Sequence, residues 1–344
     1  MRLKLRYLSI LLLITLVLGV IAAPQTTSSA QEGATLTIYS GRNENLVGPL
    51  LEQFEADTGI KVEVLYGDTA ELALQIVEEG ENSPADVFFS QDAGALGLLA
   101  ENDLLAPLSA DILDLVEPRF ESVDGLWVGI TGRARVLVYN TDAYSPEELP
   151  ASVLELTDPQ WKGQIGWAPT NASFQSFVTA LRVTLGDDAA KEWLEGVIAN
   201  EAVVYPNNNA VVAAVDSGEV SVGLVNHYYA YGYLRENPDA KVANYFFPTG
   251  DIGSMINVAG AAILQSSPNK VLAQRFILYL LSQRGQTYFV EQTFEYPLLR
   301  YGEFELAEGL PSLDEYITPE LDLSDLSSLQ ATLELLEEVG ALEN

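Results

Sequence analysis

Apolar positions along this chain switch between alternation and a three-to-four-residue spacing, the signatures of strand and helix. Thr35 to Gly41 alternates and stops at a glycine, which predicts a first strand. Glu44 to Gly59 puts Leu50, Leu51 and Phe54 on one face and predicts a helix. Ile60–Tyr66 and Ala85–Phe89 read as further strands, with helices over Ala70–Glu79 and Ala93–Glu101. This βαβαβ order predicts a parallel sheet covered by helices. Trp127–Tyr139 is a long β-rich stretch that contains Gly129, Gly132 and Arg133. Beyond it the alternation repeats: strand Ile165–Trp167, helices Phe174–Leu185 and Ala189–Ala199, strand Val203–Tyr205, helix Ala210–Ser217 and strand Val220–Val225. Ile256–Leu264 is a second long apolar β stretch, followed by an apolar helix over Leu272–Ser282 and an acidic amphipathic helix over Ser324–Glu338. Two long β stretches that cross between α/β halves predict two discontinuous lobes and a hinge that closes over a ligand.

The extreme N-terminus departs from this pattern. Met1–Arg6 is basic, Leu8–Ala23 is apolar, and small residues follow at Ser28-Ser29-Ala30. That is the pattern of a secretory leader, with cleavage expected near Ala30 and an apolar run short for a membrane span. Residues 1–30 are therefore assigned as a signal peptide of an exported, extracytoplasmic protein. With no cysteine in the chain, lipid attachment at the leader, disulfides and thiol chemistry are all excluded. The full chain carries a net charge of −32; removing three basic leader residues and no acidic ones takes it to −35. Such a surface repels nucleic acid and anionic membrane, so neither is an expected partner.

Several chemistries are missing. There is no Gly-x-x-x-x-Gly-Lys-Ser/Thr loop and no Gly-x-Ser-x-Gly elbow. A single histidine, His227, provides neither a histidine metal cluster nor an evident serine triad. Adjacent carboxylates such as Glu78-Glu79 read as solvated helix faces.

Asn226-His227-Tyr228-Tyr229 is where candidate chemistry gathers. It joins the strand over 220–225 to a helix over 228–236. Neighbouring tyrosines on a strand point to opposite faces, but at a strand-to-helix turn both phenols can converge beyond the strand's carboxyl end. Open α/β sheets bind ligands there. Two phenolic oxygens suit a hard cation, Fe3+ above all, which would displace protons of ordinary pKa near 10. Simple packing is the alternative role for the pair.

The order of short segments across the whole mature chain resembles the ferric-iron-binding periplasmic proteins of bacterial ABC transporters. The resemblance is carried by Tyr39-Ser40-Gly41, Thr58-Gly59-Ile60-Lys61-Val62, Ser83–Phe89 and Thr131-Gly132-Arg133-Ala134-Arg135-Val136. It continues in Trp161–Gly166, Asn226–Tyr229, Gly260–Leu264 and Glu295-Tyr296-Pro297-Leu298. It implies a two-lobed periplasmic-binding-protein fold of type II. One lobe would comprise residues 31–132 with about 254–300, the other 133–253 with about 301–344. It implies Tyr228 and Tyr229 as iron ligands, and an anion such as carbonate held by Asn171, Ala172, Ser173, Arg133, Asn208 and Asn226. Where relatives carry histidine, tyrosine or glutamate ligands, this chain has Asn43, Glu44 and Gln91. Glu44 is either a third ligand or a first-turn residue favoured by the helix dipole. A monomeric, non-enzymatic carrier that delivers Fe3+ to an ABC permease is the function implied. A binding protein for thiamine or a phosphonate, with the tyrosines as walls, is the alternative. A secreted hydrolase or lyase is the third class, disfavoured by the missing constellations.

Overall fold

The computed structural model describes residues 35–315 and 321–342; the leader and its cleavage site near Ala30 lie outside them. The chain forms β1 (Thr35–Ser40), α1 (Glu44–Thr58), β2 (Lys61–Tyr66), α2 (Thr69–Glu79), β3 (Val87–Ser90), α3 (Ala93–Glu101), β4 (Leu105–Ala106) and α4 (Ala110–Leu113). Next come β5 (Trp127–Asn140), β6 (Ile165–Trp167), α5 (Ala172–Leu185), α6 (Asp187–Ala199), β7 (Val203–Val204), α7 (Asn208–Ser217), β8 (Val222–Asn226) and α8 (His227–Glu236). The last third holds β9 (Val242–Tyr245), β10 (Ile256–Leu264), α9 (Lys270–Leu280), α10 (Gln283–Tyr288), β11 (Tyr296–Pro297) and α11 (Leu329–Glu338). The predicted elements over 35–101, 127–139 and 165–264 are all present, with ends moved by at most two residues.

Capping explains most helix starts. Asn43, Asp68, Asp92, Asn171 and Asn207 each accept a backbone N–H of the first turn of α1, α2, α3, α5 and α7. Gly59 (φ 71°) ends α1 in the left-handed region that glycine adopts at least cost.

The strand order is β2-β1-β3-β10-β5-β8-β6-β7, with β4 on β10 and both β9 and β11 on β5. β2-β1-β3 are mutually parallel, and so are β8-β6-β7. Between these sets run β10 and β5, antiparallel to their neighbours. β5 changes partner midway. Its residues up to Ala134 pair with β10, and from Arg135 onward it pairs with β8. All fourteen residues of β5 and all nine of β10 are buried, so the two long stretches form the centre of the sheet. The edge strand β2 instead exposes Lys61 and Glu63, charges that discourage edge-to-edge pairing.

Two local expectations change. The acidic helix predicted over 324–338 is broken at Ser328 into a 3-10 turn, Leu323–Ser327, and α11. Asp322 caps that turn. The turn lies against the glycine face of α3, where a Cβ on Gly94 would sit 2.7 Å from the Leu326 carbonyl oxygen. Glu79 is not merely solvated. It accepts hydrogen bonds from Tyr39 Oη (3.1 Å), Gln75 Nε2 (2.7 Å) and Ser83 Oγ (2.6 Å), joining β1, α2 and the turn after it.

Candidate functional site

At the end of β8 the backbone passes into α8 without an intervening loop, and Asn226 occupies the N-cap position. Asn226 makes no side-chain cap, so the first backbone N–H groups of α8 lack that partner. The turn lays Tyr228 and Tyr229 side by side, ring centroids 4.3 Å apart and planes 31° apart. Tyr228 is buried at 3% exposure, and its Oη has no protein hydrogen-bond partner. Burial drives its phenol well above the ordinary value of 10; Tyr229 adds to the rise, while Arg42 and Arg133 oppose it. The phenol is therefore neutral at neutral pH until something more positive displaces its proton.

His227 locks this turn in place. It is fully buried. Its Nδ1 accepts from the Ala134 N–H at 3.0 Å and its Nε2 lies 2.7 Å from the Phe294 carbonyl oxygen. An accepting Nδ1 puts the ring proton on Nε2, which donates to Phe294. Burial pulls the imidazole pKa down to about 4, so the ring stays neutral. One side chain thus ties α8 both to β5 and to the turn before β11.

Three buried guanidiniums surround the phenols. Arg42, in the β1–α1 connection, gives Nη2–H to Glu295 Oε2 at 2.6 Å, with both side chains at 0% exposure. Arg133 makes no protein hydrogen bond through any guanidinium nitrogen. Arg135 donates Nη2–H to the Leu224 carbonyl (3.1 Å) and sits 5.3 Å from the centroids of Phe174 and Phe177. Burial lowers Arg133, opposed by Tyr228, and takes Arg135 down to about 9, opposed by Tyr229 and Tyr228. Beside Arg133, the buried Asp92 carboxyl is raised by desolvation, against the pull of that guanidinium. Unpartnered buried donors are costly, so this arrangement favours an incoming anion.

A cleft of ≈ 1090 Å³ opens onto the phenols. Asn43, Glu44 and Gln91 line it together with Tyr228, Tyr229, Asn171 and Ala172. Asn43 uses Oδ1 to accept the Asn45 N–H (2.9 Å), which caps α1. Glu44 is the exposed first residue of α1, as the dipole reading expects, and it still faces the cleft. Asn171 caps α5 by accepting the Ser173 N–H (3.1 Å), so Ala172 and Ser173 form that helix's first turn, two residues earlier than predicted. Ser173, Arg133, Asn208 and Asn226 are buried and not part of the cleft wall. Both polar atoms of the Asn208 side chain, and Nδ2 of Asn226, have no protein partner. Among the described residues no group of three or more His, Cys, Asp or Glu can hold a metal ion. The phenol oxygens and the Glu44 carboxylate are the hard oxygen donors that line the cleft.

Sequence reasoning passed over Arg42, Arg135 and Glu295 as site residues. Arg133-x-Arg135 inside an apolar strand was a readable signal, since alternate residues share a face. Arg42 and Glu295 are 253 positions apart, and nothing local couples them.

Residues 82–322 match the family model for bacterial extracellular solute-binding proteins. The Fe(3+)-binding periplasmic protein of Serratia marcescens is 35% identical over 318 residues, 92% of each chain. Iron-bound HitA from Pseudomonas aeruginosa superposes with a TM-score of 0.84 at 36% identity, covering 89% of this chain and 99% of that one. Trichodesmium IdiA (FutA), in complex with iron and citrate, gives a TM-score of 0.74 at 30% identity over 89% and 99% of the two chains.

Proposed function

The chain belongs to the bacterial extracellular solute-binding proteins, and we propose that it captures Fe3+ outside the cytoplasmic membrane and passes it to an ABC permease. It catalyses no reaction in this reading. The observation that carries it is the buried, partnerless Tyr228 phenol stacked beside Tyr229. A trivalent ion displaces both phenolic protons and takes two hard anionic oxygens, which leaves the complex short of donors and still positive. The relatives named for ferric iron support this cargo over thiamine or a phosphonate.

A small oxyanion such as carbonate completes the coordination. Arg133 supplies charge-assisted N–H donors, Asn208 and Asn226 supply amides, and the start of α5 at Ala172 and Ser173 supplies backbone N–H groups and a favourable dipole. Glu44, Asn43 and Gln91 face the same cleft from the β1–α1 and β3–α3 connections. Two lobes joined through β5 and β10 then close over the ion, because ligands divided between them bind the closed state preferentially. The carrier works as a monomer.

An iron titration in anion-depleted buffer, repeated with bicarbonate, tests both parts. Wild-type protein binds Fe3+ tightly only with the anion, and Arg133→Ala weakens that dependence. Absence of ferric binding in either buffer rejects the iron reading. Equal affinity in the two buffers, with no co-bound anion, rejects the anion and points to Glu44 as a ligand.

A further inference from the structure

Arg42 lies in a connection, far in sequence from the tyrosines, yet the fold delivers it to them through an acid. Ser40 Oγ accepts the Arg42 N–H (3.2 Å) and donates to the Arg42 carbonyl (3.0 Å), which fixes the backbone of that residue. Glu295 fixes the side chain. Glu295 is itself held, accepting from Thr131 Oγ1 (3.1 Å) and Thr293 Oγ1 (2.8 Å). It directly follows Phe294, whose left-handed backbone (φ 58°) is pinned by His227. Phe294 pays a conformational cost that a non-glycine residue tolerates only where its surroundings over-determine it. A chain of contacts therefore runs from His227 through Phe294 and Glu295 to Arg42, one of the residues that line the cleft together with Tyr228 and Tyr229. Nε and Nη1 of Arg42 remain without a protein partner.

We propose that Arg42, clamped by Glu295, is a positioning residue whose guanidinium supports the iron-bound phenolates of Tyr228 and Tyr229 from outside the coordination sphere. The inference rests on the ferric-iron reading above. Arg42 lines the cleft with both tyrosines and Glu295 does not, so the cationic member of the pair is the one on the side of the phenolates. Arg42 in turn is held by its 2.6 Å ion pair with Glu295, which compensates the burial of its charge. Were the ion pair purely structural, replacing both members together would leave the iron site unchanged.

The double variant Arg42→Met/Glu295→Gln removes both charges and leaves no buried charge unpaired. With ferric nitrilotriacetate as the probe, it is expected to bind iron about 10- to 100-fold more weakly, the usual cost of losing an outer partner. Its phenolate-to-iron charge-transfer band should move to the red, because an electron leaves an unsupported phenolate more easily. Glu295→Gln alone keeps Arg42 and deletes the opposing charge, so its band should move to the blue. That single variant decides the matter if the double variant does not fold. Wild-type band and affinity in the double variant, or a Glu295→Gln band at or to the red of wild type, overturns the role of Arg42. If wild-type protein gives no band with iron, the ferric-iron reading itself fails, which is a separate result.

Discussion

Replacing Tyr228 with phenylalanine should push stability and binding in opposite directions. The substitution keeps the ring, its 4.3 Å stacking on Tyr229 and its edge contact with His227 at 5.9 Å. Only the hydroxyl is lost, and in the metal-free protein that hydroxyl is buried without a protein partner. A buried polar group left unsatisfied costs about 1–3 kcal/mol. Deleting it should stabilise the metal-free protein by up to that amount, a rise in Tm of about 2–6 °C for a chain of this size. Binding should fall by more than ~100-fold, beyond the 10- to 100-fold typical of an outer partner, because a donor to the metal itself is gone. Calorimetry of the metal-free protein gives the first quantity, and competition against a ferric chelator gives the second. A lower Tm together with unchanged iron affinity would show that the hydroxyl serves packing, and the reasoning would fail. A site held at a cost to stability is the usual trade between activity and stability.

Three further outcomes follow from other parts of the molecule. His227 has a folded pKa of about 4 against an ordinary 6.5, so the unfolded chain takes up its proton first as the pH falls. Its contribution is complete above about pH 6.5 and is lost on the way down to about 4, roughly 3 kcal/mol in all; the raised Asp92 works with the opposite sign. His227→Gln, whose amide can accept from Ala134 and donate to Phe294, should flatten the acid limb of metal-free stability, and an unchanged limb would remove His227 from the account. Gly97→Val places a Cβ about 2.8 Å from Ser327 Cβ and should lower the Tm by a few degrees, at a cost of ~1–3 kcal/mol for overpacking; a neutral result would mean that the 323–327 turn yields freely. Solution scattering should show contraction when iron and bicarbonate are added, and identical curves would argue against lobe closure.

Much of the architecture was legible because it rests on local rules. The long β-rich stretches at 127–139 and 256–264 became the two buried central strands β5 and β10. Asn43, Asp68 and Asp92 cap the helices that the periodicity predicted. The tyrosine pair was readable because a strand-to-helix junction is local and fixes where both rings go. The surroundings of the pair were less so. The Arg42–Glu295 contact and the His227–Phe294 contact close loops of 253 and 67 residues, and only the assembled sheet brings their ends together. The break at Ser328 was missed because the helical pattern runs through it, while the glycine face of α3 that shapes the preceding turn is over 200 positions away.

The most direct test of the central claim is resonance Raman spectroscopy of the protein loaded with ferric nitrilotriacetate and bicarbonate, excited within its visible absorption band. Phenolate ring modes enhanced by the charge-transfer transition should appear in wild type and weaken in both Tyr228→Phe and Tyr229→Phe. They should vanish when the two substitutions are combined. Iron bound tightly by the doubly substituted protein, or bound by wild type with no enhanced phenolate mode, would contradict the claim that Tyr228 and Tyr229 hold the metal.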